Sequence, residues 1–154
     1  MQLADYLTEN HIMMNFEARD KAGALEALCS FAARAYGLEA ASLLKVVSAR
    51  EEMGSTGLGG GVALPHGKSP DINEPVLIAA VAPDGVEFDS LDGQPVHVFV
   101  LLVSPSVDED GLHLKLLAKL GGVFKSPQAV SEVRAASSPA ELRAVLARRD
   151  RGGR

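Results

Sequence analysis

Cysteine is almost absent: Cys29 stands alone, so no internal disulfide can brace the fold. It sits among apolar residues at helical spacing and reads as a small core residue, not a nucleophile. No apolar run reaches membrane-spanning length and no leader pattern opens the chain, so a cytoplasmic protein without membrane insertion is expected. Positive charge is in short supply. Fifteen Lys and Arg face 20 Asp and Glu, and the net charge of −5 argues against nucleic acid as the main partner. Histidine is sparse too: the four at positions 11, 66, 97 and 113 show no close ligand pairing, which disfavours a metal site. No internal repeat or linker divides the 154 residues, and 47% hydrophobic with 23% charged residues suits one domain with a substantial core.

What is present is a regular alternation of helix and strand signals. Leu3 and Leu7 give a short helical turn an apolar side, and Ile12, Met14 and Phe16 alternate as in a brief strand. Asp20 and Gly37 bracket a helix over 21–36, with Leu25, Leu28, Cys29, Ala32 and Tyr36 as its buried stripe. A second helix over 39–52 buries Leu43, Leu44 and Val47 and is stopped by Gly54. Val76 to Ala82 and Val96 to Val103 are continuous apolar runs that read as buried strands. Between them, Pro83-Asp84-Gly85 and Leu91-Asp92-Gly93 are turn signals around a short extended piece, Val86 to Phe88. His97 reads as a structural residue near a strand end.

Asp108 and Asp110 are alternative caps for a helix over 111–124, whose apolar face takes in Leu117, Leu120, Phe124 and His113. Ser126-Pro127 opens another helix, and Ser138-Pro139-Ala140-Glu141 opens the last with a capping box. Leu142, Val145 and Leu146 dock that helix. The predicted organisation is one α/β domain over 1–147, a mixed sheet flanked by helices on both faces, followed by a basic flexible tail over 148–154.

The chemistry concentrates between Arg50 and Ser69. Pro65 biases Leu64 toward extended backbone, so the chain reaches His66 as a strand. Gly67 permits a sharp turn or a close approach by another molecule. The imidazole should therefore stand at a strand end, held yet reachable. A phosphate-binding nucleotide loop does not fit, because five residues rather than four separate Gly61 from Gly67-Lys68 and Pro70 disfavours a following helix. No dinucleotide fingerprint spans Gly54 to Gly67, and there is no Gly-x-Ser-x-Gly elbow.

Arg50-Glu51, Gly54-Ser55-Thr56-Gly57 and Val62-Ala63-Leu64-Pro65-His66-Gly67-Lys68 together resemble the active-site signature of the enzyme IIA domains of the fructose–mannitol class. These belong to the bacterial phosphoenolpyruvate-dependent phosphotransferase system. The likeness runs from about Leu3 to Leu146, includes His113-Leu114, and is greatest with the nitrogen-related enzyme IIA proteins. Gly60 departs from it, since those relatives often carry a polar residue there. The resemblance implies a phosphotransferase that needs no cofactor. His66 would accept a phosphoryl group from the carrier HPr or its nitrogen-branch homologue, and family practice places that group on Nε2. His66 would then pass it to a cysteine of an enzyme IIB, or hold it as a regulatory signal toward a transporter or kinase. The chain's end without a IIB or IIC segment motivates the second expectation.

The remaining site residues follow from charge. A neutral imidazole is a competent nucleophile near pH 7. Arg50 offers a planar fork to a phosphoryl group, although a cation at a helix C-terminus is also explained by the helix dipole. His113 at a helix N-terminus is either a hydrogen-bond donor to phosphate or a core histidine. Ser55, Thr56 and the backbone at Gly67 are further candidate phosphate donors, and Lys68 is a candidate for the docking surface.

Overall fold

In the computed structural model, which describes residues 1–152, two long central strands form the spine. β5 (Val76–Val86) and β6 (Val96–Pro105) pair antiparallel, with Ala79 opposite Val100. Four short strands complete a mixed sheet: β1 (Ile12–Met13), β2 (Gly57–Gly59), β3 (Val62–Ala63) and β4 (His66–Ser69). The order is β1-β5-β6-β3-β2, and β4 follows β3 along the same edge of β6. β1 is parallel to β5, while β3 and β4 are parallel to β6.

Both faces of β6 are buried, which is why its sequence is an unbroken apolar run rather than an alternation. Phe99, Leu101 and Val103 face one way, against α1 (Lys21–Tyr36) and α2 (Ala40–Glu52). Val98, Val100 and Leu102 face α3 (Leu112–Phe124), α4 (Pro127–Ala135) and α5 (Pro139–Asp150). Each fully buried Leu, Val or Phe contributes about 1.5–3 kcal/mol relative to exposure, so the sheet centre is the main source of stability. The expected α/β architecture with helices on both faces is the one observed.

The helix ends show the expected chemistry with instructive differences. Asp20 Oδ1 accepts from Gly23 N at 2.9 Å, and Gly37 closes α1 at φ 68°. Asp108, not Asp110, caps α3, and it does so from outside the helix by accepting the Leu112 and His113 N–H groups at 2.8 and 3.0 Å. At α5, Ser138 Oγ accepts from Glu141 N, but Glu141 reaches back to Ser137 rather than Ser138, so the expected capping box closes one residue early.

Two expectations need correction. Pro83-Asp84-Gly85 does not end a strand; it is a bulge inside β5, with the register shifting between Val81 and Val86. Gly85 sits there at φ 78°, and His97 fills the space, its Nδ1–H donating to the Ala82 carbonyl at 3.0 Å. An added Cβ at Gly85 would lie 2.9 Å from the His97 ring, so the pair is interlocked and His97 is structural.

The expected flexible tail also begins inside regular structure. α5 continues to Asp150, Arg148 and Arg149 pair with Glu132, and the Asp150 carboxylate takes Leu3 N and Lys119 Nζ, each at 2.7 Å. Favourable last-turn cations and a buried anchor extend the helix where composition alone suggested fraying. The final two positions of that tail lie outside the described residues. Among the described residues, no helix is long and apolar enough to cross a membrane.

Candidate active site

β4 pairs with β6 so that His66 lies beside Leu102 and Lys68 beside Ser104. Period-2 alternation sends these four side chains to the α3 face and Gly67 to the α2 face. His66 is half-buried at the start of the strand. Its Nδ1 lies 2.8 Å from the Leu64 carbonyl. A carbonyl only accepts, so Nδ1 carries the proton and Nε2 keeps the lone pair in the neutral ring. The backbone two residues upstream therefore sets which nitrogen keeps its lone pair, a point that the sequence left open.

α3 follows β6 after a short loop and brings His113 to the same place. The two imidazole centroids are 5.7 Å apart and tilted by 53°. His113 is buried, its Nδ1 is 2.6 Å from Ser104 Oγ, and its backbone N–H is held by Asp108. Lys68 joins the two elements, with Nζ 3.9 Å from Asp108 Oδ2. Lys68 is thus exposed but paired, and it ties the strand carrying His66 to the helix carrying His113.

Arg50 lies in the last turn of α2, where Nη1 donates to the Gly54 carbonyl at 2.8 Å. Its positive charge acts on the His66 ring and lowers that ring's pKa. The neighbouring Glu51 turns inward and is buried, Lys21 Nζ lying 3.7 Å away. Its carboxylate accepts from Thr56 N and Thr56 Oγ1 at 2.9–3.0 Å. Sequence reasoning missed this role for Glu51. The signal was available, since Glu51 continues the i, i+4 series of Leu43 and Val47 onto the buried stripe.

Three proposed phosphate contacts look different in this geometry. The Thr56 hydroxyl and N–H are committed to Glu51, so Thr56 braces the loop. Ser55 Oγ accepts from Gly57 N at 3.0 Å, which leaves its own hydroxyl hydrogen free to donate. Gly67 is buried within a strand, and an added Cβ there would meet Val46 O at 3.0 Å. The glycine is thus required by the approach of α2 rather than by a sharp turn. No group of three or more His, Cys, Asp or Glu suited to a metal ion occurs among the described residues.

Electrostatics keep both imidazoles neutral. Burial pushes the His66 pKa below its ordinary 6.5 and Arg50 lowers it further, against opposing effects of the Leu64 carbonyl and Glu51. Burial also lowers His113, helped by His66 and Lys68 and opposed by Asp108. The His113 backbone N–H is the largest influence holding the Asp108 carboxyl below its usual range, so it stays an anion beside Lys68. An NMR titration of the ring protons should therefore show His66 with a midpoint below 6.5; a midpoint above it would contradict this electrostatic picture. The linked stability has a definite sign. As pH falls through 6.5 the unfolded chain gains the proton first, so the contribution from a neutral His66 is lost on acidification toward the folded-state midpoint.

Comparisons with known proteins identify the family of the whole domain. Residues 5–149 match the family described as phosphoenolpyruvate-dependent sugar phosphotransferase system, EIIA 2. A nitrogen regulatory protein of Bradyrhizobium diazoefficiens is 31% identical over 147 residues, covering 96% of this chain and 95% of that one. The crystal structure of the nitrogen regulatory protein IIA-Ntr from Neisseria meningitidis superimposes with a TM-score of 0.87 at 33% identity, covering 94% of this chain and 98% of the other. The mannitol IIA of Escherichia coli, 18% identical, shares the fold at a TM-score of 0.78 over 92% of this chain and 99% of its own. A family match that spans residues 5–149, together with likeness to nitrogen regulatory proteins over nearly the whole chain, fixes the family: the chain belongs to the type 2 EIIA family of the phosphoenolpyruvate-dependent phosphotransferase system.

Proposed function

We propose that His66 is the phosphoryl carrier and that Nε2 is the nitrogen that bears the group. The observation that supports this most is the hydrogen bond from Nδ1–H to the Leu64 carbonyl, which leaves the Nε2 lone pair available. In the transfer, that lone pair attacks the phosphorus of a phosphohistidine on an HPr-type donor. The donor N–P bond breaks and its electron pair returns to the donor ring. The proton on Nδ1 stays in place, and the Leu64 carbonyl stabilises the positive charge that builds on the His66 ring. Arg50 and the His113 ring flank the phosphoryl oxygens, with Ser55 as a further donor. Positioning and charge stabilisation carry the step.

Exposed apolar side chains follow two of these residues closely, Met53 beyond Arg50 and Leu114 beside His113. They give a protein donor or acceptor an apolar rim around a charged centre. An NMR structure of the mannitol IIA of Escherichia coli in complex with phosphorylated enzyme IIB shows that such a fold docks a IIB partner. By that likeness, a cysteine of an enzyme IIB is one acceptor for the His66 phosphoryl group.

Similarity to nitrogen regulatory proteins over nearly the whole chain favours a second use of the same state. A phosphoryl group adds about −2 charge at the centre of the apolar rim, which changes the surface offered to a regulated transporter or kinase. Incubation with phosphoenolpyruvate, enzyme I and the HPr-type carrier should add one acid-labile phosphoryl group, and His66→Ala should prevent it. Labelling that survives this substitution would move the site elsewhere. For the regulatory reading, pull-downs with phosphorylated protein and with His66→Ala should recover different amounts of partner; equal recovery would remove the switch.

A further inference from the structure

We propose that Ser104 is a positioning residue that sets the tautomer of His113, so that the second ring offers Nε2–H to the phosphoryl group. This rests on His66 as the acceptor. Ser104 is a polar residue in an otherwise apolar part of β6, and it is only 1% exposed. Its hydroxyl lies 2.6 Å from His113 Nδ1, its hydrogen-bond partner among the described residues.

Either atom of that pair can carry the hydrogen in principle, but the alternatives are unequal. Were Nδ1–H to donate to Oγ, the serine's own hydrogen would remain buried without an acceptor. With the hydroxyl donating to Nδ1, the buried serine hydrogen has its acceptor. The neutral His113 ring then carries its proton on Nε2.

The two imidazoles are therefore opposite tautomers. In His66 a carbonyl holds Nδ1–H and frees the Nε2 lone pair. In His113 a hydroxyl fills the Nδ1 lone pair and leaves Nε2–H to donate. One ring forms the bond to phosphorus and the other donates to an oxygen on it. Ser104 touches no reacting atom. It acts through His113, whose backbone is fixed independently by Asp108.

The test combines nitrogen NMR of the unphosphorylated protein with kinetics of phosphoryl acceptance. The wild-type His113 ring should report a protonated Nε2 and an unprotonated Nδ1. Ser104→Ala should show mixed protonation, a kcat about tenfold lower, as for loss of roughly 1.4 kcal/mol from the transition state, and an unchanged KM for the phosphorylated carrier. Ser104→Thr, which keeps the hydroxyl, should restore both the tautomer and kcat. Protonated Nδ1 in wild-type His113, or a folded Ser104→Ala protein with wild-type kcat, would overturn the proposal. If Ser104→Ala fails to fold, the wild-type spectrum still decides the tautomer. The spectrum does not depend on which residue is phosphorylated, so labelling retained by His66→Ala would defeat the acceptor assignment separately.

Discussion

Arg50→Ala should slow phosphoryl transfer onto His66 by roughly 10²–10³-fold, the effect of deleting one preorganised donor to transition-state charge. The transferring group spreads negative charge over three equatorial oxygens, and a guanidinium meets two of them with parallel N–H donors. α2 places that fork at its C-terminal turn, and the Gly54 carbonyl steadies it. Losing this one hydrogen bond costs about 0.5–1.5 kcal/mol of stability, so the variant should remain folded. Arg50→Lys should fall between the two, because it keeps the charge but not the fork. An independent readout exists: because Arg50 lowers the His66 pKa, its removal should raise the titration midpoint. A wild-type rate with an unmoved midpoint would leave Arg50 as a helix-end cation only.

Gly67→Val should be the most damaging single change to the fold near the site. A Cβ at position 67 would sit 3.0 Å from Val46 O and 3.1 Å from Val46 C. Those atoms are helix backbone, so they cannot swing aside as a flexible side chain would. Even Gly67→Ala should cost about 1–3 kcal/mol, the range for overpacking a filled interior, and valine should cost more. Because His66 and Lys68 flank the position, the strain also displaces the His66 ring and the Lys68–Asp108 pair. Denaturant unfolding should show a lower midpoint for Gly67→Ala at unchanged slope. An unchanged midpoint would mean that β4 and α2 are not in the close contact described.

Much of this was legible before any coordinates. The apolar runs in β5 and β6, the caps at Asp20, Ser126 and Ser138, and Gly37 are local signals, and each produced the element that it announced. The Arg50–Ser69 motif singled out the residues proposed for the chemistry, although not which ring nitrogen of His66 would keep its lone pair. That depended on the 2.8 Å contact of His66 Nδ1 with the Leu64 carbonyl, a matter of backbone geometry rather than residue type. The Pro83-Asp84-Gly85 bulge was unreadable for a similar reason: a turn tripeptide is continued as a strand here beside His97, which packs against it from the neighbouring strand.

Ser104 and Glu51 illustrate a subtler loss. Each stands on a buried face by simple periodicity, Ser104 in phase with Leu102 and Glu51 in phase with Val47. A polar residue at an apolar phase implies a buried partner, but for both residues that partner lies across a loop, where periodicity does not reach. The reading of Thr56 as a phosphate donor suffered from the same blindness, since nothing local to Thr56 reveals that Glu51 already occupies it.

The central claim is that the Nε2 of His66 bears the phosphoryl group while Nδ1 keeps its proton. Nitrogen and phosphorus NMR of isotope-labelled protein, phosphorylated through enzyme I and the carrier, tests it directly. The account predicts phosphorus–nitrogen coupling to Nε2 of His66 and a proton still on Nδ1. Coupling to Nδ1, or to a nitrogen of any other residue, would contradict it.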